Sequence, residues 1–244
     1  LAGLFHLSYA ITHRGSLAQA NPGLATEFAG RADYYYLLGR LLSAAYGIFT
    51  LPLLILFGRR LFGERTGLLA AALLLFYPIL VWHAQVVRTD TSALFFVTLS
   101  LWLCYRAVDQ PRPRHFMLAG AAIGLAIASR YLMASLYFVY LALFLLRTPA
   151  WQREGKMRYV VAGFVAGGLV SVVTFALSSP FVLLDWTTAW QNITTEARSV
   201  HLGADGKNYA ERAIWYLSSA IPGSVYGGQM LALGIGVVAC IRQR

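Results

Sequence analysis

Residues 66–105 read TGLLAAALLLFYPILVWHAQVV-RTD-TSALFFVTLSLWLCY, two uncharged runs that are separated only by the charged triplet Arg88-Thr89-Asp90. A helix needs about 20 apolar residues to cross a bilayer, so each run is close to the length of one membrane span. The same pattern covers most of the chain, with further uncharged runs at 41–58, 116–129, 131–146, 159–184 and 213–241. We therefore expect an all-α, polytopic membrane helix bundle with about seven spans in this chain.

The overall composition supports a membrane location. Of the 244 residues, 58% are hydrophobic and 12% are charged, and the charged share is about half that of an average soluble domain. The net charge of +10 would suggest nucleic acid on a soluble protein, but here the basic residues lie between apolar runs, which excludes that partner. Cys104 and Cys240 lie inside apolar runs, so we expect buried free thiols and neither a disulfide scaffold nor a cysteine metal site.

The charges between the runs predict the orientation in the membrane. If every run crosses once, one face carries 12 basic and 3 acidic residues, a net charge of +9, and the other carries 8 basic and 7 acidic residues, a net charge of +1. By the positive-inside rule the first face is cytoplasmic. We expect a multi-pass protein of the plasma (inner) membrane, if the source is bacterial, with its active face extracytoplasmic.

The chain is predicted to form a single transmembrane domain over residues 1–244. Residues 1–34 are expected to be the remnant of an outward loop and 35–184 the core spans. Residues 185–212, with Trp186 and Trp190, are expected to lie outward in the interface, and 213–241 to form the last apolar segment. The chain begins at Leu1 without a methionine and ends at Arg244 just after an apolar run, so we expect a fragment truncated at both ends.

The runs 116–129 and 131–146 are short and are separated only by Arg130. One continuous helix through both would place Arg130 at mid-bilayer, which costs about 2.5–3.5 kcal/mol on the insertion scale. We therefore predict a tight pair of spans whose connection reaches the outward face at Arg130. There the side chain has two interpretations that the sequence leaves open: a lipid anchor that snorkels to the headgroups, or a guanidinium that binds a substrate phosphate.

Asp90 is the second candidate for a functional residue. It lies between two predicted spans, at the start of the second. Asp90 or a flanking threonine can therefore cap the following helix, and a capping role does not exclude a catalytic one. His83, Gln85 and Arg88 precede it and complete a polar rim at the outward end. The sequence has no Gly-rich phosphate loop and no metal-type histidine spacing, so no cofactor is expected, and the need for a divalent metal stays open.

Several blocks of this sequence, in this order, resemble the C-type membrane glycosyltransferases. The similarity is to the dolichyl-phosphate-mannose protein mannosyltransferase branch and its bacterial polyprenyl-phosphate-dependent relatives, and it extends from about Tyr35 to about His201. The blocks are Tyr36–Ala44, Leu56–Arg65 with the following run to Pro78, Val87–Asp90, Ala128–Tyr131 and Ser179–Asp185. Each block alone is weak, and their order and spacing carry the resemblance.

The resemblance implies an enzyme that moves a sugar from a polyprenyl-phosphate carrier in the membrane lipid to an acceptor on the outward face, with inversion. It implies that Asp90 is the catalytic-site carboxylate and orients a substrate. The topology count places Arg88 and Arg130 at the headgroup level, where we expect them to bind the carrier phosphate, with His83 and Gln85 as further substrate-binding residues of the same rim. The family's leading candidate for the base is an acidic residue early in the first outward loop, which nothing before Glu27 supplies, so we expect the base to precede Leu1. The family also continues with further spans beyond about Arg244.

Two other classes of protein remain as alternatives. A transporter or flippase of a lipid-linked substrate should have polar or broken helices at the midplane, whereas here the charges are confined to the span ends, which favours an enzyme. A non-catalytic membrane subunit is the second alternative. The sequence does not identify the sugar or the acceptor.

Overall fold

The computed structural model describes residues 30–196 and 208–220. These residues are almost entirely helical, and no strand forms among them. The helices are α1 (Ala32–Phe62), α2 (Glu64–Leu75), α3 (Pro78–Ala84), α4 (Asp90–Asp109), α5 (Pro113–Ser129), α6 (Leu136–Arg153), α7 (Met157–Ser178), α8 (Pro180–Leu184), α9 (Trp186–Glu196) and α10 (Tyr209–Trp215). A 3₁₀ turn, Tyr131–Ser135, precedes α6, and a π-helical turn, Tyr216–Ala220, follows α10. The all-α prediction is confirmed.

Several of these helices have the length and composition of membrane spans. Within the described residues, 4 helices qualify: Ala32–Phe62, Asp90–Asp109, Tyr131–Arg153 and Met157–Ser178. The pair α2 and α3, bent by 63°, makes up to 5 if it counts as one broken span. The predicted number of about seven spans is not confirmed, because α5 has only 17 residues and most of the run 213–241 lies outside the described residues.

Glycine and proline residues set the helix boundaries. Gly63 separates α1 from α2 with φ of 97°, a left-handed conformation that side-chain-bearing residues rarely adopt. Pro78 occupies the first position of α3 and splits the run 66–87, which the sequence analysis treated as one span, because proline ends the preceding helix but fits a helix start. Pro113 opens α5 in the same way.

The centre of the described bundle is α5, which packs against α4 on one side and α7 on the other. Ala119, Ala122, Ile123 and Ala126 of α5 are at most 2% exposed. The contact with α7 is so close that a Cβ atom on Gly120 would overlap the backbone of Gly167. This approach is possible because both helices carry small residues at a spacing of four. They are Gly120 and Gly124 on α5, and Gly163, Gly167 and Ser171 on α7.

The antiparallel arrangement of α4 and α5 brings the residues of the candidate site together. The two helices are joined by the short segment 110–112, and the buried His115 secures the connection by donating from Nδ1 to the carbonyl of Gln110 at 2.7 Å. Helices with so short a link run antiparallel, so the start of α4 and the end of α5 lie at the same end of the bundle. Asp90 and Arg130 are therefore brought together from positions 40 residues apart in the sequence.

The other predictions about single segments have mixed outcomes. Cys104 is a buried free thiol as predicted, whereas Cys240 lies outside the described residues. A helix does form at Trp186–Glu196, and the rings of Trp186 and Trp190 stack 5.7 Å apart with both side chains more than half exposed. Residues 1–29, which include Glu27, also lie outside the described part.

Candidate functional site

Asp90 is the first residue of α4, and Thr89 holds the N-cap position. Thr89 makes no side-chain capping hydrogen bond, and the Asp90 carboxylate caps no backbone N–H in the structure. The capping interpretation of Asp90 is therefore not supported. Its negative charge still lies in the first turn of α4, where the helix dipole favours it.

The carboxylate of Asp90 instead faces three basic side chains. Arg88 Nε lies 2.8 Å from Asp90 Oδ2, and Arg130 NH1 lies 2.9 Å from Oδ1. The third is His83, whose Nδ1 lies 2.9 Å from Oδ2. Four of the five predicted site residues thus form one cluster, which we call the Asp90 cluster.

Three different segments of the fold supply the basic residues that meet Asp90 of α4. His83 comes from the last turn of α3, Arg88 from the link between α3 and α4, and Arg130 from the break after α5. Arg130 has extended backbone angles, φ of −151° and ψ of 124°, so the chain leaves α5 there, as predicted, and does not continue as one helix. This break lets the side chain of Arg130 reach across to α4.

The Asp90 cluster and the neighbouring Thr91 contain buried polar atoms without hydrogen-bond partners. Within the described residues these are His83 Nδ1, Asp90 Oδ2 and Thr91 Oγ1, so the short contact between His83 and Asp90 is electrostatic and lacks hydrogen-bond alignment. Thr91 is 1% exposed. Buried polar groups are paired in most proteins because an unpaired one costs about 1–3 kcal/mol. Asp90 Oδ2 is compensated in part by its ion pairs with Arg88 and His83, whereas the buried hydroxyl of Thr91 has no such contact among the described residues.

Charge and exposure indicate the ligand's chemistry. The side chains of Asp90 and His83 are 20% and 15% exposed, whereas those of Arg88 and Arg130 are 45% and 44% exposed. Two guanidinium groups face one carboxylate, so the cluster has a net charge of +1 when His83 is neutral. Arginine forks match the oxygens of phosphate. The arrangement suits a phosphate group that approaches from the exposed side.

Trp82 packs against this site and Thr91 follows Asp90 in α4, and neither was among the predicted site residues. The ring of Trp82 packs edge-on against His83, with centroids 4.9 Å apart, and Arg88 Cζ lies 5.9 Å from the ring centroid. The sequence could have pointed to Trp82 only through its position directly before the candidate residue His83. The hydroxyl of Thr91 gave no indication, since threonine is common in helices of this kind.

Gln85 lies apart from the Asp90 cluster. It lines a cavity of about 420 Å³ together with Arg40 of α1 and Trp82 of α3, and no residue of the Asp90 cluster lines this cavity. Its predicted role as a substrate-binding residue of the outward rim stays a prediction. In the part of the chain that the structure describes, no three metal-ligating side chains come together.

A helical membrane bundle with a cationic site at one end of its spans is the class of protein that these features define. Residues 36–178 match the family model of dolichyl-phosphate-mannose-protein mannosyltransferase, which is more than half of the 244-residue chain. The chain belongs to this family, and it is a membrane glycosyltransferase of the protein mannosyltransferase type. No curated protein and no solved structure is similar enough to count as a match.

Proposed function

We propose that the protein transfers a sugar from a polyprenyl-phosphate carrier to an acceptor hydroxyl at the extracytoplasmic face, with inversion at the anomeric carbon. The observation that carries the proposal is the contact of one carboxylate, Asp90, with Arg88 and Arg130 from different parts of the fold. Family membership supports a lipid-phosphate sugar as donor. The charge count of +9 against +1 supports an outward position for the cluster.

The carrier phosphate binds to the exposed sides of Arg88 and Arg130. An isoprenoid tail stays in the bilayer while its phosphate lies in the headgroup region, so the phosphate must be met by cations at the end of the spans. Both guanidinium groups are nearly half exposed there. Asp90 has both oxygens in contact with cations, so we assign it the task of holding the two arginines at the spacing that a phosphate needs.

The reaction is a single displacement. The acceptor oxygen attacks the anomeric carbon from the face opposite the phosphate, the bond from that carbon to the phosphate oxygen breaks, and the electron pair stays on the phosphate. Arg88 and Arg130 stabilise the charge that develops on the leaving group. The acceptor's proton passes to a base, for which the family resemblance implies an acidic side chain of the first outward loop.

The test uses the full-length protein in liposomes with a radiolabelled polyprenyl-phosphate mannose and a peptide acceptor that contains serine and threonine. We expect labelled peptide whose anomeric configuration is opposite to that of the donor. The bend between α2 and α3 is a feature that a transporter of a lipid-linked substrate would share. Movement of intact donor between the leaflets, with no labelled peptide, would overturn the proposal in favour of transport.

A further inference from the structure

We propose that the cavity beside Arg40 binds the phosphate of a resident anionic membrane phospholipid, at a site separate from the Asp90 cluster. The cavity has a volume of about 420 Å³, within the range of ligand pockets, and lies between α1 and the segment around α3. Its walls are mainly apolar, with Leu41 and Ala44 on α1 and Ala84 and Val86 opposite them. Arg40, Gln85 and Trp82 supply the polar groups.

Arg40 brings a positive charge to this cavity. Its guanidinium carbon lies 4.7 Å from the ring centroid of Tyr36, one turn earlier on α1. Across residues 30–196 and 208–220, no carboxylate lies within ion-pair distance of Arg40. An exposed guanidinium beside apolar surface attracts an anionic group, and its planar fork matches the oxygens of a phosphate.

The depth of Arg40 matches the headgroup region. Ser43, one turn further along α1, has its hydroxyl oxygen 3.5 Å from the carbonyl oxygen of Arg88, so this part of α1 lies level with the Asp90 cluster. From Ser43 to the end of α1 at Phe62 there are about 20 residues, the length that crosses the hydrocarbon core. Arg40 therefore lies just beyond the apolar part of α1.

The surface around Arg40 suits acyl chains. Leu37 and Leu41, on either side of it in the sequence, are 55% and 59% exposed. Trp82, with 55% of its surface exposed, adds an aromatic ring of the kind that is enriched at the membrane interface. A cation with hydrogen-bond donors, an interfacial indole and an apolar groove together match a phosphate that is attached to lipid chains.

The occupant is a second lipid and not the sugar carrier, a step that rests on the proposed function. A carrier with one phosphate that is bound by Arg88 and Arg130 has no anion left for Arg40. None of the residues His83, Arg88, Asp90 and Arg130 lines the cavity. The phospholipid at Arg40 would instead form one wall beside the reaction site, with Trp82 common to both places.

The test is lipid retention by the full-length protein, purified from membranes containing phosphatidylglycerol and phosphatidylethanolamine and analysed by native mass spectrometry. We expect Arg40→Gln to reduce retained phosphatidylglycerol about tenfold, because one charge-assisted contact is lost, whereas Arg40→Lys keeps most of it. Arg106→Gln is the matched control, since Arg106 also stacks on a tryptophan, Trp102 at 5.0 Å, and lies near the other end of α4. Thermal unfolding of each variant shows whether it is folded.

Three results would overturn the proposal. The first is equal retention of phosphatidylglycerol by the wild type and Arg40→Gln, and the second is an equal loss of it in Arg40→Gln and Arg106→Gln. The third is that the lipid lost from Arg40→Gln is polyprenyl phosphate and not phosphatidylglycerol. Arg88→Gln keeps this test distinct from that of the proposed function. That variant should lose binding of polyprenyl-phosphate mannose and retain phosphatidylglycerol. If Arg88→Gln still binds polyprenyl-phosphate mannose, the proposed function fails. The assignment of a phospholipid to Arg40 is then still decided by the retention of phosphatidylglycerol in Arg40→Gln.

Discussion

Arg130 provides a direct distinction between a phosphate ligand and a lipid anchor. Lysine also carries a cation on a long stem, so it replaces an anchor freely, but it lacks the planar fork that binds two phosphate oxygens. We expect turnover to fall about tenfold in Arg130→Lys and about 100-fold in Arg130→Ala, because contacts to charged groups contribute about 1.5–3 kcal/mol. Transfer assays with melting temperatures measure this, and full turnover by Arg130→Lys would leave Arg130 as an anchor.

The role of Asp90 is tested by Asp90→Asn, which keeps the size of the side chain and removes its charge. Without the carboxylate, Arg88 and Arg130 repel each other and lose their common partner, and misplacement of binding groups by about 1 Å can cost 100-fold in rate. We therefore expect transfer to fall about 100-fold or more while the helix content by circular dichroism stays unchanged. A folded Asp90→Asn enzyme with wild-type turnover would show that Asp90 has no part in the reaction.

Much of the Asp90 cluster could be predicted from the sequence, since charges between apolar runs must lie at span ends. Counting spans placed Arg88, Asp90 and Arg130 at the same end, and in the structure each arginine lies within 2.9 Å of an oxygen of Asp90. The cavity that Gln85 lines could not be predicted, because the direction of a side chain in a bent segment depends on tertiary packing. Arg40 lies in the block Tyr36–Ala44 that resembles the family, but the cavity beside it forms only where α1 and α3 meet.

At the scale of elements, the contact between α5 and α7 is tested by two neighbouring glycines. A Cβ on Gly167 would collide with the backbone carbonyl of Phe116, whereas a Cβ on Gly168 meets nothing within 4 Å. We expect Gly167→Ala to destabilise the protein by about 1–3 kcal/mol, and Gly168→Ala to be neutral or slightly stabilising, since alanine is the better helix former. Thermal unfolding in detergent compares them, and equal melting temperatures would contradict the close contact.

The helix boundaries were only partly predictable. The break at Arg130 followed from the cost of a charge at mid-bilayer, and the structure ends α5 at Ser129. The run 66–87 contained Pro78, yet its uniform hydrophobicity concealed the bend of 63° that the proline allows. The small residues of α5 and α7 were visible in the sequence, but which helices they join is decided by the fold.

At the scale of the whole molecule, the predicted orientation is tested by labelling from each side of the membrane. In a variant with Cys104 and Cys240 replaced, we expect Gln110→Cys, between α4 and α5, to react with an impermeant maleimide only from the cytoplasmic side. Thr187→Cys, at the start of α9, should react only from outside. Exchange of these two results would reverse the orientation and place the Asp90 cluster in the cytoplasm.

The orphaned hydroxyl of Thr91 has a consequence for the trade-off between stability and activity. Valine has the same shape without the hydroxyl, so Thr91→Val removes a buried polar atom that has no partner and should stabilise the empty protein by about 1 kcal/mol. If that hydroxyl meets the substrate, the same variant is slower in transfer although it melts at a higher temperature. Natural proteins are rarely at their stability optimum, so only slower transfer together with the higher melting temperature would mark Thr91 as a position where activity is favoured over stability.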